Sequence, residues 1–237
     1  LNYHREGSGE PLVLIHGIGL RWQTWEPVIA RLARERDSIA LDLPGFGATP
    51  PPGRPWGSAD YAEAVLAVLD EIGARVTVLG HSFGGRVALH LARLAPQHVS
   101  GLVLTGVPQL APKSDAGRPN RAFQMMKLAS RVGLITELQL ERARTKYGSR
   151  DYREAEGVIR GVLVKVLAER YAELLPEIAC PVELVWGAID TTAPLANAEF
   201  AESALKRAHL EVLDGVGHMV PTDAPEALRA ALDRLSS

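Results

Sequence analysis

The chain has one cysteine, Cys180, among its 237 residues. An intramolecular disulfide is impossible, so the fold rests on its core, and a chain of this length can bury a sizeable one without covalent staples. Cys180 stands before Pro181 at the start of an apolar run and reads as a small buried residue rather than a reactive thiol. Metal-ligand patterns such as H-E-x-x-H or C-x-x-C are missing, so neither a metal nor another cofactor is expected. Long runs of lysine or arginine are missing too. With 26 basic and 28 acidic residues the formal net charge is −2, which argues against a nucleic-acid partner. No stretch approaches the roughly 18 apolar residues of a membrane helix, and no signal-peptide pattern opens the sequence at Leu1. A cytoplasmic location is therefore expected, with a small molecule as the partner and the oligomeric state left open. Hydrophobic residues make up 46% and charged residues 23%, the balance of an ordinary globular chain.

What is present is a rhythm. Short β-rich runs occur at 11–15, 38–43, 75–79, 99–105, 182–186 and 209–213. Stretches of helical spacing lie between most of them, at 22–34, 59–72, 83–95 and 194–206, with a last one at 225–235. Strands alternating with helices imply a parallel sheet covered on both faces. Nearly unbroken apolar strands are what two-sided burial requires. Residues 1–6 alternate weakly and suit one antiparallel strand, turned into the next by Gly7-Ser8-Gly9. From 109 to 178 the rhythm breaks. No strand is evident there, and helical patterns at 121–132, 136–147 and 151–174 follow a loop containing Pro112 and Pro119. This reads as a helical cap (109–178) inserted into one α/β core made of 1–108 and 179–237.

The strongest local signal is Gly80-His81-Ser82-Phe83-Gly84, which follows a strand and opens a helix. This is the G-x-S-x-G elbow in its required setting. The serine has to stand proud of the sheet on a strained turn, so residues two places away must lack side chains. The following helix directs free amides and the positive end of its dipole at the site.

A serine hydroxyl is a poor nucleophile until a base takes its proton. Of seven histidines, His16 and His218 fall at strand carboxyl ends, where ligands sit in open parallel sheets. His218 is the favoured base, because Gly215 and Gly217 let its loop fold over the serine. His16 is expected to hold loops by hydrogen bonds. The acid that fixes the imidazole tautomer is expected at Asp190, after the strand 182–186, giving the order Ser, Asp, His. Asp214 is closer to His218 in sequence but better suited to capping the loop. An oxyanion needs two amide donors, and the candidates are Phe83 and Ile18. The loop Gly17-x-Gly19 with Asp42 some way on mimics a dinucleotide fingerprint, but Trp22 occupies its third glycine position and would block close approach. For the substrate pocket the candidates are Gly17, Trp22, Phe123, Met125, Met126 and Val220. Arg86 is expected to make a salt bridge or a carbonyl contact.

Taken together, His16-Gly17-Ile18-Gly19, Trp25, Asp42-Leu43-Pro44-Gly45-Phe46-Gly47, Gly80-His81-Ser82-Phe83-Gly84-Gly85, Trp186-Gly187-Ala188-Ile189-Asp190 and Gly217-His218 resemble the α/β-hydrolase superfamily, in its esterase, C–C hydrolase and perhydrolase branch. They span almost the whole chain in family order. The resemblance implies an α/β fold with a mainly parallel sheet of about eight strands, the first of them missing before Leu1, and a cap inserted after the sixth. It implies a serine hydrolase acting through Ser82, His218 and Asp190 on esters of small to medium apolar acyl or alcohol groups. A C–C bond hydrolase or lyase, a perhydrolase and a non-catalytic ligand receptor are the alternatives on the same fold.

Overall fold

A computed structural model describes residues 1–32, 35–112, 136 and 155–236. Seven strands form one sheet in the order β1-β3-β2-β4-β5-β6-β7. They are β1 (Asn2–Gly7), β2 (Glu10–Ile15), β3 (Arg36–Asp42), β4 (Val76–His81), β5 (Val99–Thr105), β6 (Val182–Gly187) and β7 (Ala208–Leu213). Only β1 runs antiparallel, pairing Asn2 with Asp42 and Gly7 with Asp37 on β3. Every other neighbour is parallel. The sheet thus has seven strands among the described residues, not eight, and β1 is the antiparallel strand expected at 1–6. The interval expected as a cap lies between β5 and β6. Its predicted helices at 121–132 and 136–147 fall outside the described residues, apart from Thr136.

The described helices are α1 (Glu26–Leu32), α2 (Ser58–Ile72), α3 (Phe83–Leu94), α4 (Gly157–Val166), α5 (Ala196–Ala204), α6 (Val220–Asp223) and α7 (Pro225–Leu235). Their placement follows from alternation along the strands, whose successive side chains point to opposite faces. Val13, Ile15, Ile39, Leu41, Val78, Leu102, Leu104 and Leu184 join one cluster with residues of α2, α3, α4 and α5. Leu12, Leu14, Ala40, Leu79, Val103 and Val185 join the other with α1, α6 and α7. Both faces are covered, which explains why these strands are apolar throughout. Truncating one of these fully buried leucines to alanine costs about 2–5 kcal/mol.

Two helix boundaries differ from the periodicity. The stretch expected as one helix from Trp22 opens with a 3-10 turn over Trp22–Trp25 before α1. Of the pattern at 151–174, the described residues 155–174 contain α4, followed by turns and a 3-10 turn at Leu175–Glu177. No helix among the described residues is long and apolar enough to cross a membrane.

Candidate active site

Because β2, β4, β5, β6 and β7 are parallel, their carboxyl ends share one rim. The loops that leave that rim carry Gly17, Ser82, Gly106, Asp190 and His218. Ser82 connects β4 to α3 with φ 53° and ψ −113°, a left-handed conformation that costs a non-glycine residue about 1–3 kcal/mol. The flanking glycines are compulsory. A Cβ on Gly84 would lie 1.9 Å from the Ile15 carbonyl oxygen, and one on Gly80 would lie 2.6 Å from Gly85 Cα. The Ser82 N–H donates to the Thr105 carbonyl at 2.9 Å, tying the turn to β5.

Asp190 and His218 meet because the loops after β6 and β7 are laced together. Ala188 N–H donates to Leu213 O at 2.9 Å and Ile189 N–H to Val216 O at 3.1 Å. A Cβ on Gly187 would sit 2.3 Å from the Val216 and Gly217 carbonyl oxygens, so only glycine permits that approach. Asp190 Oδ2 lies 2.7 Å from His218 Nδ1. An ionised carboxylate can only accept, so Nδ1 carries the proton and Nε2 is left with its lone pair. Asp190 Oδ1 accepts from the Thr192 and Ala193 amides, each at 2.8 Å. Burial pushes the Asp190 carboxyl up, but the bonds from His218, Ala193 and Thr192 outweigh it and hold the group below its ordinary value.

Ser82 Oγ makes no hydrogen bond among the described residues and faces a cavity of about 610 Å³ that Ile18, Phe83 and Arg86 also line. The ring of His81 lies 4.8 Å from that of His218. Gly17 is packed against Ser82, since a Cβ there would meet Ser82 Cβ and the His81 ring at 3.3 Å. His81 is buried, and neither ring nitrogen makes a well-aligned hydrogen bond among the described residues, the Thr105 carbonyl acting on it as a weaker acceptor. Burial first, then the neighbouring His218, pushes it down to about 3, so it is neutral across the physiological range.

His16 organises the Gly17 loop. The Leu43 N–H donates to its Nε2 at 3.1 Å, so its Nδ1 is protonated and donates to Gly17 O at 2.7 Å. Leu20 N–H donates to the same oxygen at 3.2 Å. Within one peptide plane the C=O and the next N–H point opposite ways, so pinning Gly17 O aims the Ile18 N–H. That amide and the Phe83 amide at the first position of α3 have no partner among the described residues. Burial pushes His16 down to about 4, which keeps it in this neutral tautomer.

Other expected positions fall elsewhere. Trp22 is stacked on His4, with ring centroids 4.1 Å apart, and its N–H donates to Asp42. Val220 is packed under α1 and α7 in the second cluster. Neither lines the cavity: the chain turns away from the rim at both places to cover the opposite face of the sheet. Phe123, Met125 and Met126 lie outside the described residues. The apolar wall comes instead from Pro108, Leu163, Val166, Leu167 and Pro194. The residues after β5 and β6 were open to prediction as strand-end loops, whereas nothing in the sequence marks α4 as a wall. Arg86 makes the expected carbonyl contact, donating through Nη1 to Val166 O at 3.1 Å. The Asp42 carboxylate is taken up by the Trp22 and Ala48 amides, leaving none of the free acid a dinucleotide ribose needs. Burial raises the Cys180 thiol to about 11, which suits a structural residue. Among the described residues no cluster of histidine, cysteine or carboxylate side chains is placed to hold a metal ion.

A family model described as "Alpha/beta hydrolase family" matches residues 12–231. The chain belongs to that family. An uncharacterized protein of Mycobacterium tuberculosis is 31% identical over 258 residues, covering 92% of this hydrolase and 73% of the relative. A pimeloyl-[acyl-carrier protein] methyl ester esterase of Legionella pneumophila is 26% identical over 231 residues, covering 92% of each. Among solved structures, an esterase from Exiguobacterium antarcticum superposes with a TM-score of 0.77 at 22% identity, covering 99% of this hydrolase and 95% of that chain. That likeness is one of fold.

Proposed function

We propose that this hydrolase cleaves carboxylic esters of small to medium size by two-step acyl transfer. The observation that carries the reading is the His218–Asp190 pair at 2.7 Å, on the same rim as an unpaired serine hydroxyl held on a strained turn. Ser82 Oγ attacks the ester carbonyl while His218 Nε2 takes its proton. The oxyanion receives the Ile18 and Phe83 amides, and the α3 dipole favours the negative charge. His218 then returns the proton to the leaving alcohol. Asp190 holds the imidazole in the tautomer this needs and stabilises the imidazolium that forms. Water, deprotonated by His218, adds to the acyl-serine and releases the acid. Contacts between such groups commonly tighten only when substrate binds, which suits a Ser82 hydroxyl that makes no hydrogen bond among the described residues. The interval 109–178 acts as a cap, with α4 as a wall over the nucleophile. The Legionella relative, an ester hydrolase by name, supports ester chemistry.

The test is turnover of p-nitrophenyl acetate and butyrate by the wild type and Ser82→Ala, with mass spectrometry to trap an acyl group on Ser82. Loss of turnover and of the adduct in Ser82→Ala is the expected result, and equal rates in the two proteins would falsify the mechanism. Turnover of a vinylogous diketone without turnover of simple esters would move the reading to C–C hydrolysis.

A further inference from the structure

Fifteen described residues line the cavity above Ser82, and Arg86 is the charged one among them. It follows Ser82 by four residues, which places it on the same side of α3, one helical turn on. It is only 3% exposed. Burying a cation without a counter-ion is costly, and the chain shows how it handles the other buried arginine: Arg36 has Glu10 at 2.6 Å. Arg86 has no such acid among the described residues. Nη1 donates to Val166 O, the guanidinium carbon lies 5.3 Å from the centre of the Tyr171 ring, and Nε has no partner. Glu169, which acts on Arg86 from a distance, is committed to the hydroxyls of Ser58 and Tyr171 and to the Ser58 amide. The carboxyl end of α4 offsets part of the charge, but a carbonyl is not a counter-ion. Next to Arg86, Gln109 donates to the following carbonyl, Leu167 O, at 3.1 Å. Gln109 holds a left-handed φ of 67°, and its Oε1 is also unpaired, an acceptor for a donor group on the same ligand. The buried Arg86 and the half-buried Gln109 therefore fasten the end of α4 at the cavity wall, and each keeps one polar atom in reserve.

We propose that Arg86 is an anion-binding residue of this cavity, selecting esters that carry a carboxylate a few bonds from the carbonyl attacked by Ser82. The proposal rests on the ester-cleaving reading and narrows it. A carboxylate entering the cavity supplies the acid that Arg86 lacks. A neutral chain of the same length leaves the cation buried with Glu169 acting only from a distance and no acid in direct contact.

The experiment compares matched esters. On the acyl side these are 4-nitrophenyl hydrogen glutarate and 4-nitrophenyl valerate; on the alcohol side, 3-acetoxypropionate and propyl acetate. The readout is the ratio of kcat/KM, anionic to neutral, for the wild type, Arg86→Met and Arg86→Lys. A hydrogen bond to a charged group predicts a wild-type ratio of roughly tenfold or more in at least one pair. The ratio should collapse to near unity in Arg86→Met and be partly restored in Arg86→Lys. Loosening of α4 alone would slow both esters of a pair together and leave the ratio standing. A wild-type ratio near unity in both pairs, or a ratio that survives Arg86→Met, overturns the proposal while leaving ester cleavage intact. If the wild type turns over none of these esters, the ester reading fails, and calorimetry with glutarate decides this one separately. Binding that weakens at least about tenfold in Arg86→Met sustains it, and no binding to the wild type overturns it. Where Arg86→Met does not fold, Arg86→Lys serves in both measurements, with a reduced ratio or weaker glutarate binding expected.

Discussion

Mild acid should destabilise this protein through two histidines that flank the site. His16 is pushed down to about 4 and His81 to about 3 by burial, against about 6.5 in an unfolded chain. Below about pH 6.5 the unfolded chain takes up a proton at each ring that the folded protein refuses. Each ring therefore removes about 1.4 kcal/mol of stability per pH unit. That stability is fully present above pH 6.5 and declines until the folded rings themselves titrate. Between about pH 8 and pH 5 the two rings together remove about 4 kcal/mol, and His90, lowered by its burial in α3, acts in the same direction. Set against the 5–15 kcal/mol typical of a folded domain, this is large, and it corresponds to a fall in Tm of roughly 8–16 °C for a chain of this size. The assay is urea unfolding followed by tryptophan fluorescence at pH 8, 6.5 and 5. His81→Leu removes one of the two rings, whose nitrogens make no well-aligned hydrogen bond among the described residues, so its loss over the same interval should shrink to about half. Equal midpoints for the wild type at pH 6.5 and pH 5, or an unchanged slope in His81→Leu, would refute the reasoning.

Three further outcomes follow from the site. Asp190→Asn should keep the loop but misplace the His218 proton, lowering kcat for p-nitrophenyl butyrate by about 10³–10⁴-fold; a loss below tenfold in steady-state assays would contradict the assigned role. His16→Ala frees the Gly17 peptide, so kcat should drop roughly 10²-fold or more with KM little changed. A pure KM effect there would show that Ile18 is not an oxyanion donor. Gly84→Ala puts a methyl group 1.9 Å from the Ile15 oxygen and should lower Tm measurably or abolish soluble expression, whereas Ala88→Gly in the same helix, which loses helix propensity and one buried methyl, should cost only about 2 kcal/mol.

The strands were legible because two-sided burial leaves a plain mark, a short apolar run, and the runs at 99–105 and 182–186 coincide with β5 and β6 to within a residue. Asp190 and His218 were legible as a pair for a related reason: both follow strands of a parallel sheet, so both had to reach the same rim. Trp22 and Val220 show the limit of that logic. Each is close in sequence to a rim loop, but the direction the chain takes next is set by which face of the sheet still needs covering, and a local pattern does not record that. The 3-10 turn at Trp22–Trp25 has the same origin. The cavity wall built from Leu163, Val166 and Leu167 was illegible because it depends on α4 returning over the nucleophile from about 80 residues away. The partners of Arg86 and Gln109 sit on that returning helix, and sequence spacing carries no trace of them.

The course of α7 has a practical consequence. It begins just after the loop that bears His218 and runs back across the sheet, so that Leu235 packs beside Gly101 near the start of β5 and Ser236 reaches Arg36 at the start of β3. Leu235 and Ser236 therefore sit at the far end of the sheet from the cavity mouth, whereas Asn2 pairs with Asp42 on the near side. Attaching the protein to a bead or an electrode through a cysteine placed at Ser236 would point the opening towards solution, and attachment at Asn2 would crowd it.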